Sequence, residues 1–106
     1  MVVAKDLRRA GYVEYQERLK DCQVALQRTI YDSEGKKRYF INAFGYDFSK
    51  YIPSRRALEF TFEVTFFRNG LTFKVNLYAA ETVEALEAFF DDVWTRLECD
   101  IDHNNN

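Results

Sequence analysis

At 106 residues the chain has the length of one domain, and a domain of this size buries roughly 65% of the surface its unfolded form exposes. Ten Phe and seven Tyr supply much of its apolar content, and a single Pro with four Gly excludes a collagen-like or low-complexity chain. The formal charge of −2 conceals 12 Lys/Arg against 7 Asp/Glu up to Arg56 and 3 against 10 beyond it, which excludes a uniformly basic chain and leaves either a basic face for nucleic acid or two halves that attract one another, within one fold or across a dimer.

The opening "MVVAKDLRRAG" has too short an apolar run for a signal peptide, and no later stretch reaches membrane length. A cytoplasmic protein with no membrane partner is the expectation. "AKDLRRAGYVEYQERLKDC" reads as an N-terminal helix, or a shorter one broken at Gly11, with Tyr12, Tyr15, Leu19 and Cys22 along one stripe. Cys22 and Cys99 are too few and too far apart for a disulfide framework or a zinc site, and both read as small buried hydrophobes.

"VALQRTIYDSEGKKRYFINAFGYDF" reads as a hairpin turning at Asp32–Gly35, with Gly35 in the left-handed conformation. Pairing Leu26 with Ile41 and Val24 with Ala43 gathers an apolar face, and Phe40, Phe44, Tyr46 and Phe48 fall on the other. "SKYIPSRRA" follows as a connection, with Pro53 holding Ile52 out of helical geometry.

The next hairpin carries the strongest signal. Phe60, Phe62, Val64 and Phe66 alternate with Thr61, Glu63 and Thr65, a period of two, ahead of Asn69-Gly70, a pair suited to a type I′ turn. Closing there sets Phe66 against Phe73, Val64 against Val75 and Phe62 against Leu77, all apolar. Thr61–Tyr78, Glu63–Asn76, Thr65–Lys74 and Phe67–Thr72 form the opposite face, polar but for two rings. "ETVEALEAFFDDVWTRLEC" is then an amphipathic helix capped by Thr82, with Val83, Leu86, Phe90, Val93 and Leu97 spaced at three and four. The sum is an α+β domain over residues 1–102, in the order αββββα: a four-stranded antiparallel sheet of two hairpins flanked by an N-terminal and a C-terminal helix. Residues 103–106, "HNNN", read as a disordered tail.

No catalytic constellation emerges. The one histidine, His103, stands near the end, and neither a P-loop nor a dinucleotide fingerprint is present. Asp100, Asp102 and His103 make a weak divalent-cation pattern on a tail that nothing rigid holds. No catalytic residue, metal or cofactor is therefore assigned.

What remains is "KKRYFINAFGYDF", three basic residues ahead of five rings. Since a strand sends neighbours to opposite faces, one helix layer cannot cover them all. The reading that results is a non-enzymatic protein-interaction module, an inhibitor, adaptor or subunit of the size seen among phage or mobile-element accessory proteins. Its partner is another protein or a second copy of itself, met through Tyr39, Phe40, Phe44, Phe67, Tyr78, Arg55 and Arg56. The alternative is single-stranded nucleic acid, with Lys36, Lys37 and Arg38 on phosphates and Tyr39 and Phe40 stacking on bases. The aromatic strand resembles that of RNA-recognition motifs. It departs from them in lacking the glycine that gives backbone clearance and in lacking the βαββαβ order.

Overall fold

A computed structural model describes residues 1–16, 19–47, 58–68 and 71–104. Its elements are α1 (Ala4–Arg9), β1 (Val13–Glu14), β2 (Cys22–Tyr31), β3 (Lys37–Tyr46), β4 (Glu59–Arg68), β5 (Leu71–Leu77) and α2 (Val83–Asn104). The strands form one antiparallel meander in the order β1-β2-β3-β4-β5. The class is α+β, as expected, but the sheet has five strands rather than four.

The fifth strand comes from the segment expected to be a helix or a shorter helix broken at Gly11, and the break does fall at Gly11. α1 stops after six residues because Gly11 takes φ +100°, a left-handed value that closes helices at little cost. The Gly11 N–H donates to the Arg8 carbonyl at 3.1 Å and the Tyr12 N–H to the Leu7 carbonyl at 3.0 Å. These two bonds form a Schellman closure, and Leu7 and Tyr12 complete it by packing together in the core. The chain leaves extended, and Val13 and Glu14 pair with Gln27 and Leu26. The stripe of Tyr12, Tyr15, Leu19 and Cys22 therefore does not exist, since Cys22 opens β2.

The turn between β2 and β3 follows its residue types. Gly35 has φ +81°, and one Asp32 carboxylate oxygen accepts from the Glu34 and Lys36 N–H groups at 2.8 and 2.9 Å. The register, however, differs by two residues from the expected one: Leu26 faces Ala43, Arg28 faces Ile41 and Val24 faces Gly45. An even shift keeps each side chain on its expected face. Two irregularities break the ladder, between Cys22 and Val24 and between Ile30 and Tyr31. The second leaves Arg38 as an extra residue between the Tyr31–Lys37 and Ile30–Tyr39 pairs.

β4 and β5 pair as the alternation requires, from Arg68–Leu71 through Phe66–Phe73, Val64–Val75 and Phe62–Leu77. Asn69 and Gly70 lie outside the described residues. α2 begins where the Thr82 hydroxyl accepts from the Ala85 N–H at 3.1 Å, an N-cap that satisfies one of the helix's unpaired donors. It runs through His103 to Asn104, so these two residues carry helical backbone.

One core joins these parts. Leu26, Ile41, Ala43, Phe62, Val64 and Phe66 from the sheet meet Leu7 and Tyr12 from the α1 region and Val83, Leu86, Phe90 and Trp94 from α2. Both helices thus cover the same side of the sheet. Rings fill its centre: Tyr39, Phe66 and Trp94 stand 5.2 to 6.3 Å apart, centroid to centroid.

Candidate functional site

The face turned away from both helices is set by parity. It carries Ala25, Gln27 and Thr29 on β2, Phe40, Asn42 and Phe44 on β3, Thr61, Glu63, Thr65 and Phe67 on β4, and Thr72, Lys74 and Asn76 on β5. Among the described residues no helix or strand lies over it. A polar row crosses the middle, Gln27–Asn42–Glu63–Asn76. In it the Gln27 amide donates to the Asn42 side-chain oxygen at 2.8 Å, and Glu63 lies 3.8 Å from the Lys74 ammonium. Rings flank that row. Phe40 and Phe67 pair at 5.4 Å, both half-buried, and Tyr78 just beyond β5 is 76% exposed.

The expected partner residues separate into four groups. Phe40, Phe67 and Tyr78 are accessible on this face. Phe44 shares the face but is only 7% exposed, and it lines a hollow of about 170 Å³ with Thr61, Glu63, Asn76 and Tyr78. Tyr39 is 1% exposed and belongs to the core under α2, so it leaves the candidate set. Arg55 and Arg56 lie outside the described residues.

The basic tip divides as well. Lys36 and Lys37 are exposed beside a polar hollow of about 520 Å³ whose other walls include Asp32, Glu34, Trp94 and Glu98. Arg38 goes elsewhere. As the bulged residue it turns toward α2, where its guanidinium lies 5.8 Å from the Tyr39 ring centre, 5.5 Å from that of Trp94 and 3.5 Å from the Asp91 carboxylate.

Arg38 is half of a repeated arrangement that the sequence did not announce. On α2, Glu87 and Asp91 are one turn apart, and each takes an arginine and a tyrosine from below. Glu87 accepts from the Tyr12 hydroxyl at 3.2 Å and from Arg28, and Asp91 accepts from the Tyr39 hydroxyl and pairs with Arg38. Burial, then the neighbouring carboxylate, push both tyrosine hydroxyls well above their ordinary range, so both stay protonated donors. The opposed charges of the two halves of the chain meet here, inside one subunit. The signal available in the sequence was the i, i+4 spacing of Glu87 and Asp91 in the acidic row, with Glu84 and Glu98, that borders the apolar stripe.

Two further features were not anticipated. Thr65 is 4% exposed on the outer face, and among the described residues its hydroxyl oxygen has no hydrogen-bond partner. The sheet edges also differ: β1 is two residues long, whereas β5 offers seven with, among the described residues, no neighbour beyond it in the sheet.

Compared with family models, curated proteins and solved structures, the chain matches none. No described helix is long and apolar enough to cross a membrane.

Proposed function

We propose that this chain is a small, non-enzymatic, cytoplasmic protein-interaction module that docks another protein on the outer face of its sheet, as inhibitor, adaptor or subunit. One observation carries the reading: both helices pack on the same side, leaving Phe40, Phe67 and Tyr78 around a polar row on the other. Rings at the margin of a hydrogen-bonding strip are the composition of an interface, where aromatic anchors supply energy and amides supply register. Glu87 and Asp91 are held by arginines and tyrosines as helix anchors.

The nucleic-acid alternative draws on a smaller set. Of Lys36, Lys37, Arg38, Tyr39 and Phe40, the third faces α2 and the fourth is in the core. The outer face itself carries Lys74 beside Glu63, a balance that does not track phosphates.

The test is comparative capture from lysate of the native host by wild type, Phe67→Ser and Tyr78→Ser, each first checked for unchanged thermal unfolding. A protein held by wild type and released by both variants supports docking on this face, and equal retention by all three overturns it. Labelled oligonucleotides titrated at low salt separate the alternative, since phosphate contacts are strongest there.

A further inference from the structure

Natural sheets protect their edges by keeping them short, by placing charge or Pro on them, or by covering them. Among the described residues, β1 follows this rule and β5 does not. β5 is seven residues long and lacks Pro, and its single charge, Lys74, stands 3.8 Å from Glu63 on the neighbouring strand. Leu71 at its start is 58% exposed and Tyr78 just past its end is the most exposed of the described large apolar side chains. Phe73, Val75 and Leu77 pack against the core yet remain only partly buried.

We propose that β5 pairs antiparallel with β5 of a second copy about a two-fold axis at Val75, joining the two sheets into one. The inference rests on the docking reading and names one partner for it.

The backbone restricts the choice of register. Arg68 and Leu71 face each other across two intervening residues, which makes them a hydrogen-bonded pair. Alternation then directs the N–H and C=O groups of Leu71, Phe73, Val75 and Leu77 toward β4, and those of Thr72, Lys74 and Asn76 outward. Self-pairing must therefore match even residues with even ones. An axis at Lys74 sets two ammonium groups face to face, which is unfavourable. An axis at Asn76 leaves Phe73 beyond the paired strand, and one at Phe73 does the same to Leu77. The axis at Val75 opposes no like charges and leaves only Leu71 and Thr72, at the exposed start of the strand, without a partner inside β5. It sets Val75 against Val75 and Phe73 against Leu77 on the helix side, and Lys74 against Asn76 and Thr72 against Tyr78 on the outer side. Apolar meets apolar, and no like charges are opposed. The same geometry lays the two outer faces side by side with a Tyr78 at each end of the seam. One strand pair is a small interface, so a reversible dimer with a micromolar constant is expected.

Sedimentation equilibrium on the full chain up to about 500 µM tests this, with wild type, Asn76→Lys, and Lys74→Glu combined with Asn76→Lys. The single variant opposes its new lysine to Lys74 of the other copy at two symmetry-related places, and weakens association about tenfold. The fold itself tolerates it, because position 76 faces Glu63 within the subunit. The double variant recreates two opposite-charge pairs and restores association to within about threefold of wild type. A monomeric wild type, self-association unmoved by Asn76→Lys, or a double variant that fails to recover each overturns the proposal. Phe67→Ser separates it from the docking reading. If wild type is monomeric yet Phe67→Ser still releases the captured protein, self-pairing fails and outer-face docking stands.

Discussion

Tyr12 and Tyr39 carry their hydroxyls into the join between sheet and α2, where each donates to a carboxylate from a ring that is almost wholly buried. Burial and then the carboxylate raise both hydroxyls above the ordinary value near 10, which the unfolded chain retains. The sign follows from linkage. A group whose folded pKa is raised lends stability that is complete below the unfolded pKa and disappears as pH climbs toward the folded one, because the unfolded chain releases its proton first. Between pH 9 and 11 each such ring removes about 1.4 kcal/mol in the limit of full shielding. Water reaches Asp91, which is exposed, so about 1 kcal/mol per ring, about 2 for both, is the better figure. With a urea slope of about 2 kcal/mol per molar, the midpoint drops by about 1 M over that interval beyond what the other tyrosines and lysines cause. Urea unfolding of wild type and of Tyr12→Phe combined with Tyr39→Phe, at both pH values, isolates the effect. The double variant starts lower at pH 9, having lost two hydrogen bonds to charged acceptors, but falls by about 1 M less. Parallel losses in the two proteins would refute the assignment.

Gly45 is buried beside Phe60, and a Cβ there would come within 2.9 and 3.1 Å of the ring's outer carbons. Gly45→Ala is expected to cost about 1–2 kcal/mol by denaturant unfolding, overpacking outweighing the entropy that Ala saves, and Phe60→Leu in the same chain should recover part of it as a coupling energy. Arg28→Met leaves Glu87 without its cation in a part-buried site and should cost about 1–2 kcal/mol, whereas Arg28→Met with Glu87→Met costs less than the single change. Gly35→Ala meets no atom within 4 Å, so its cost, about 1 kcal/mol, reports the left-handed backbone alone; a neutral result would remove that argument. Thr82→Ala should lower stability by about 1 kcal/mol through the lost cap.

Among the candidate residues, legibility followed locality. Phe67 and Tyr78 were placed on the outer face by the hairpin's alternation, and the register from Arg68–Leu71 to Phe62–Leu77 repeats it pair by pair. Tyr39 was misread as a surface ring although alternation already groups it with Ile41, which is fully buried. Arg38 could not be read at all: one extra residue opposite Ile30 and Tyr31 reverses its direction, and no residue type in "KKRYF" marks the bulge.

The amino-acid order by itself determined the β4–β5 pairing, the Gly35 turn, the Thr82 cap and the apolar stripe of α2. Each of these is decided by periodicity and by two to four neighbouring residues. Only the tertiary structure decided that Gly11 turns the chain into a fifth strand, that the β2–β3 register sits two residues away from the expected one, and that α1 joins α2 on one side of the sheet. Those outcomes depend on contacts between segments tens of residues apart: Tyr12 and Arg28 meeting Glu87, and Arg38 and Tyr39 meeting Asp91. A short window of sequence holds no record of which distant carboxylate a side chain will find. The side of the sheet left uncovered by helix follows from that choice.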